Sequence, residues 1–145
     1  PSENNISNPQ AKPMKTSVTF RSNAFPPAKN DTVNAPMRYG KKLAKWLAAE
    51  LPAHGLTVND CYDEDWGWEI EFANADFPLR LGCGNVDGEE GAFLCFITPD
   101  RATVRPPKRL FRAVDTRPAV GKLAAALDAV LRSHPHTSDI EWQDG

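Results

Sequence analysis

An α+β domain, an antiparallel sheet of about five or six strands with two amphipathic helices packed on one face, is predicted by three features of the sequence. Trp66, Trp68, Ile70 and Phe72 alternate with Gly67, Glu69 and Glu71. A period of two turns a large apolar stripe to one face of a strand and carboxylates to the other. Leu43, Trp46, Leu47 and Leu51, and again Val120, Leu123, Leu127, Val130 and Leu131, recur at helical spacing. Asp87-Gly88-Glu-Glu-Gly91 separates two further strand-like runs, and its glycines supply the positive φ that a tight hairpin requires. Each helix and the sheet need a cover for an apolar face, and placing both helices on one side of the sheet satisfies all three.

At 145 residues the chain fits one domain, large enough to bury a core without metal or disulfides. Hydrophobic residues at 41% and charged residues at 25% exclude disorder for its bulk. Residues 1–15 are rich in Asn, Ser, Pro and Lys with almost nothing apolar to bury, so they read as a flexible tail before a domain spanning 16–145. Three cysteines, Cys61, Cys83 and Cys95, cannot all pair and form no Cys-x-x-Cys motif, which points to a reducing, cytoplasmic setting. No apolar run approaches the ~20 residues that cross a bilayer, and the N-terminal region holds no signal-peptide core. A chain opening at Pro1 is what removal of an initiator Met leaves, although a trimmed sequence looks the same.

The elements follow in order. Ser17 to Ser22 alternates Val18 and Phe20 with polar neighbours and reads as a first strand. Pro26-Pro27 and neighbouring turn formers make the next stretch a loop. Asn34-Ala-Pro36 is a cap followed by a first-turn proline, opening the first helix, which Pro52 and Gly55 stop between Leu51 and His54. Leu56 to Tyr62 predicts a strand, Asp63-Glu64-Asp65 a turn, and Trp66 to Phe72 the next strand. Phe77, Leu79, Leu81 and Cys83 alternate again. Phe93, Cys95 and Ile97 oppose Leu94 and Phe96, so that strand is apolar on both faces and its second face needs a partial cover. Arg101 to Asp115 is basic and interrupted at Pro106-Pro107, with room for one helical turn. Thr116-Arg-Pro118 repeats the cap-then-proline signature and opens the second helix, which ends before Pro135; Ile140 and Trp142 then mark a short closing strand.

A net charge of −2 conceals a segregated pattern. Residues 57–100 carry eleven acids and one base, whereas residues 101–122 carry seven bases and one acid. Two arrangements are open: the acidic and basic segments neutralise one another across the fold, or the acids form a free surface that steers a basic partner.

Other chemistry is thinner. Gly82-Cys-Gly-Asn85 has the flanking glycines that let backbone amides approach a ligand, and Cys83 with Asn85 and a carboxylate is the candidate nucleophile of a hydrolase or transferase. The competing reading of Cys83 is a core residue in register with Leu79 and Leu81. His134, His136 and Asp139 include suitable ligand types but read as a solvated turn, so no metal and no cofactor is expected. No phosphate-binding loop is present in this sequence. Arg101, Arg105, Lys108, Arg109 and Arg112, with Phe111 for stacking, form a nucleic-acid candidate that the neighbouring acids oppose.

On Asp63-Glu-Asp-Trp-Gly-Trp68, Gly82-Cys-Gly-Asn85 and the Tyr39-to-Leu47 helix, the chain resembles a family of small, uncharacterised bacterial proteins across roughly Phe20 to Pro99. That family has no assigned activity, so the resemblance implies no catalytic residue. In type it is also similar to immunity proteins that neutralise bacterial toxins. The leading expectation is therefore a protein-binding module of that kind rather than an enzyme. Asp60, Asp63, Glu64, Asp65, Glu69, Glu71, Asp87, Glu89 and Glu90 are its candidate contacts. A basic protein is the expected partner, with nucleic acid and membrane set aside.

Overall fold

The computed structural model describes residues 14–29, 31 and 39–144, so the tail expected over 1–15 lies almost wholly outside the described residues; Lys15 already belongs to a strand. In chain order the elements are β1 (Lys15–Ser22), α1 (Lys41–Glu50), β2 (Val58–Glu64), β3 (Gly67–Phe72), β4 (Leu79–Asn85), β5 (Ala92–Thr98), β6 (Thr103–Val104), β7 (Val114–Asp115), α2 (Arg117–Ser133) and β8 (Thr137–Asp144). Six of the strands form one sheet in the order β2-β3-β4-β5-β1-β8, and every neighbouring pair is antiparallel. The short β6 and β7 pair separately and close the base of the basic excursion.

Both helices pack on the same face, as their apolar stripes require. α1 lies against β2, β3 and β4, and α2 against β1, β5 and β8. Leu43 and Leu47 of α1 and Leu123, Leu127 and Leu131 of α2 share one buried cluster with Val18, Phe20, Ile70, Leu81, Cys83, Phe93, Cys95 and Ile97. Burying each large side chain there contributes up to about 2 kcal/mol. An aromatic seam fills the gap between the helices: Phe25 packs on Trp46, Phe93 and His134 with ring centroids 5.2, 6.1 and 5.4 Å apart. The helix stop is as the sequence predicts, a 3-10 turn from Leu51 to His54 ending at Gly55 in the left-handed region.

Three local expectations are corrected. Trp66 is not in a strand: β2 runs on through Glu64, and Asp65-Trp66 form a two-residue turn, so the carboxylates of Asp63 and Glu64 sit on strand and not in the loop. The positive φ of Gly67, 154°, explains the turn; a Cβ there would stand 2.4 Å from the Cys83 carbonyl oxygen. Thr116 precedes α2 as expected, yet its hydroxyl donates to the Arg101 carbonyl instead of capping the helix, and so ties α2 to the basic excursion.

The start of α1 is also handled differently. Asn34 and Pro36 lie outside the described residues, and the described helix begins at Lys41 behind Gly40, which has no capping side chain. The cap comes from Asp31. Its buried carboxylate accepts from the Gly40 and Lys41 amides at 3.2 and 3.1 Å, from the Ala28 amide at 3.2 Å and from the Trp68 indole at 3.2 Å. One side chain thus satisfies two of the orphan donors of a helix start and anchors α1 to β3.

Asp128 does the same work at the other edge, accepting from the Trp142 indole at 2.9 Å and pairing with Arg132 at 3.0 Å, which fastens β8 to α2. Burial pushes its carboxyl pKa up, but the hydrogen bonds from Arg132 and Trp142 outweigh that and leave it below the ordinary value. Asp128→Ala is expected to lose about 1 kcal/mol of stability near neutral pH. Because the folded-state pKa is lowered, that contribution is complete above the unfolded-state pKa and fades as the pH falls through the folded one. Urea unfolding at a series of pH values checks it: the wild-type and variant curves should converge in acid.

Candidate interaction surface

No described helix covers the opposite face of the sheet, and the register assigns its occupants. Phe96 lies opposite Gly82, and its ring occupies the space a side chain at Gly82 would need: a Cβ there would come within 2.3 Å of Cζ. Trp66, swung out by the turn, packs on Phe96 with centroids 5.0 Å apart, and its carbonyl sits 3.1 Å from where a Cβ of Gly84 would be. This is the cover that an apolar Leu94 and Phe96 called for. It is incomplete, because Trp66, Leu94 and Phe96 stay half-buried and border a recess of about 210 Å³ with Gly84 and Asn85.

Beside the aromatic patch lies a polar cluster. The Tyr62 hydroxyl stands 2.7 Å from Glu71 Oε2 and 3.0 Å from Glu69 Oε1, and with one proton it donates to one carboxylate at a time. The bond to Glu71, then burial, then the bond to Glu69 raise the Tyr62 pKa, so the phenol stays protonated. Arg80 Nε approaches Glu71 Oε2 at 3.5 Å, an ion pair outside hydrogen-bonding geometry.

The nine acids proposed from sequence divide into three groups. Glu69 is buried, 8% exposed, with its Oε1 3.0 Å from the Tyr62 hydroxyl, and does not belong to an exposed contact surface. Asp60 and Glu71 lie on the open face toward the far end of the sheet. Asp63, Glu64, Asp65, Asp87, Glu89 and Glu90 gather at the near end, because Trp68 pairs with Cys83 and so brings the β2–β3 and β4–β5 hairpins to the same end. Within that group Glu89 pairs with Arg21 at 2.7 Å. Asp63 pairs with Trp68 and so faces the helix side, where Lys41 and Lys45 stand 5.8 and 5.4 Å from the indole centroid.

The basic excursion leaves β5 at Thr98, the opposite end of the sheet from this acidic pole. Its described ion pairs are Arg109 with Asp76 at 3.1 Å and Asp115 with Arg117 at 2.9 Å, and neither acid is among the nine. The six carboxylates at the near end are therefore separated from the basic excursion by the length of the strands, and the two charged segments meet at the far end, where Asp76 pairs with Arg109.

The enzymatic candidate is not assembled. Cys83 is fully buried on the helix face directly opposite Cys95, and that thiol contact, followed by burial, raises its pKa well above the ordinary value. A reactive cysteine needs the opposite environment. The Asn85 amide is used to knit the β4–β5 hairpin, donating to the Glu89 and Ala92 carbonyls at 2.6 and 3.0 Å. His134 packs its ring against Trp46, 5.0 Å away, and its Nδ1 accepts from the His136 amide. Sequence reasoning missed Tyr62, Asp31 and the partnership of Trp66 with Phe96. The signal for the last was present in the alternation that put Phe96 and Gly82 on one face; Asp31 acts across a long gap and leaves no local pattern.

Comparison with protein-family models, curated proteins and solved structures finds no match to this chain.

Two measurements test this geometry. Thiol alkylation of the native protein should modify half-buried Cys61 first, with Cys83 and Cys95 reacting only on unfolding; early labelling of Cys83 would contradict the burial. Gly67→Ala, which combines a strained φ with a backbone clash, should cost about 3 kcal/mol in denaturant unfolding.

Proposed function

We propose that the chain is a protein-binding module, an immunity or inhibitor protein that neutralises a bacterial toxin by docking its acidic pole and the adjoining aromatic recess on a basic protein. The observation that carries this reading is the juxtaposition at one end of the sheet: two hairpins carrying Glu64, Asp65, Asp87, Glu89 and Glu90 adjoin the half-open patch of Trp66, Leu94 and Phe96, while Asp63 adds charge from the helix face and Glu89 shares its own with Arg21. An apolar centre with a polar rim is the anatomy of a specific interface, and tryptophan at its middle is the residue type most often carrying its energy. The recess, about 210 Å³, is smaller than the ~300–1,000 Å³ of small-molecule sites, and suits one inserted side chain better than a substrate. With aromatic walls and carboxylates on the adjoining hairpins, an arginine or lysine of the partner fits it best: the aliphatic stem lies on the rings and the charge points toward the acids.

Charge at the rim acts chiefly on association rate and specificity. The chain's own basic segment is held at the far end of the sheet and does not compete with a partner for this pole. A catalytic reading through Cys83 has lost its support, since the thiol is inaccessible.

The test uses tagged wild-type protein and two variants in extracts of the native host, followed by affinity measurements on the basic protein retained. Asp63→Lys/Glu64→Lys/Asp65→Lys should slow association and remove most of its salt dependence. Trp66→Ala should weaken binding by roughly 30-fold through faster dissociation. Unchanged affinity in both variants, or binding indifferent to salt, would sink the reading.

A further inference from the structure

The end of the sheet away from the acidic pole carries a second feature, independent of the proposed function. Leu110 and Phe111 are 83% and 63% exposed, the two large apolar side chains left in water among the described residues. Exposure here does not come from a loose loop. A 3-10 turn over Pro107–Arg109 ends at Leu110, and the amides of Leu110, Phe111 and Arg112 donate to the carbonyls of Pro107, Pro106 and Arg109 at 2.9, 3.1 and 3.1 Å. Arg105 reaches back to the Phe111 carbonyl at 3.3 Å. Leu110 and Phe111 both have left-handed backbones, φ 56° and 60°, a conformation that side chains of this kind disfavour. The fold thus holds two apolar side chains outward at a strained, hydrogen-bonded tip.

The tip segment itself is uniform in sign, with Asp76 of the β3–β4 connection facing Arg109. Residues 101–112 contain five bases and no acid. Arg109 is paired with Asp76, while Arg101, Lys108 and Arg112 are exposed and have no ion-pair partner among the described residues. A groove of about 430 Å³ lies alongside, between Pro106-Pro107 and Phe77-Pro78, but neither Leu110 nor Phe111 lines it. Lys108 borders that groove, while Leu110 and Phe111 stand clear of it in water.

We infer that this tip is a peripheral docking site for an anionic lipid bilayer. Leu110 and Phe111 enter the headgroup–acyl boundary, and Arg101, Lys108 and Arg112 engage lipid phosphates and carboxylates. Apolar side chains flanked by unpaired cations, without a groove, match the chemistry of that surface. A nucleic acid would use Phe111 for stacking but has no use for an aliphatic Leu110 at the apex. A membrane was set aside from sequence for want of a spanning segment, and indeed no described helix is long and apolar enough to cross one; surface docking needs none. Two side chains and a few charges give weak, reversible attachment that salt releases. The opposite pole, with its carboxylates, points away from the lipid.

Vesicle co-sedimentation at low salt tests this with no protein partner present, so its outcome is separate from that of the inhibitor reading. The wild-type chain should bind phosphatidylcholine vesicles containing about one-third phosphatidylserine and not pure phosphatidylcholine. Leu110→Asn/Phe111→Asn, chosen because asparagine tolerates the left-handed backbone, should reduce binding at least about tenfold. Arg101→Gln/Lys108→Gln/Arg112→Gln should reduce it by roughly a hundredfold. In Phe111→Trp the added indole emission should shift to the blue on adding anionic vesicles, a readout that needs no loss-of-binding variant. Failure to bind anionic vesicles, equal binding of neutral ones, or an unshifted emission from the added indole overturns the proposal. So does finding that Leu110 and Phe111 matter for RNA binding or self-association but not for vesicles.

Discussion

Every apolar stripe in this chain has to be buried in one layer, and the remainder of the architecture follows from that. Two helices of ten and seventeen residues supply enough apolar surface to cover one face of a six-stranded sheet, but not both. β4 and β5 therefore carry their large residues, Leu79, Leu81, Cys83, Phe93, Cys95 and Ile97, inward. The outward positions of the same strands are Arg80, Gly82, Gly84, Leu94, Phe96 and Thr98, and no further helix is described to shield the apolar ones. The chain's answer is local: Phe96 folds over a glycine and Trp66 leans on Phe96. What results is a small aromatic surface half in water, the kind of place where a second molecule gains most from docking.

Strand direction then sorts the charge. In an antiparallel sheet, alternate connections fall at opposite ends, so a chain that puts acids into the β2–β3 and β4–β5 connections and bases into the one after β5 becomes a molecule with two poles. Where the two kinds of charge do meet, as in Glu71 with Arg80 and Asp76 with Arg109, the pairs are partly solvated, and pairs of that type contribute about 0–1 kcal/mol. The separation thus has little effect on stability and a large one on the molecule's long-range field.

The fold was largely legible because its periodicities are strong. The five residues of the α2 stripe read from spacing, Val120, Leu123, Leu127, Val130 and Leu131, are all buried, and the alternations in β3, β4 and β5 give the observed inward faces. The errors arise where a distant contact overrides the local pattern. Trp66 continued the alternation of Trp68 and Ile70, yet Glu64 pairs with Gly67, which leaves Asp65 and Trp66 as the turn between the strands. Glu69 alternated as a solvated residue should, but it is buried with the Tyr62 hydroxyl of the neighbouring strand against its carboxylate. The α1 cap was sought in the residues just before the helix and is furnished by Asp31. Of the candidate surface, charge sign and location could be read from sequence; which acids share an end of the sheet could not, since that depends on register.

The borders of the sheet bear on how a second chain can approach. Among the described residues β2 and β8 are the outermost strands of the sheet, and the outer row of amides and carbonyls on such a strand is ordinarily an invitation to strand addition and aggregation. Both are protected. β2 carries Asp60, Asp63 and Glu64; β8 carries Asp139, Glu141 and Asp144, and a register break with a left-handed Asp139 twists it away from a straight template. Like charges repel a duplicate edge, so copies of this chain are kept from zipping together side by side. Lengthening of the ladder is thus disfavoured at both described borders, which leaves the ends and the open face as the side-chain surfaces most open to contact.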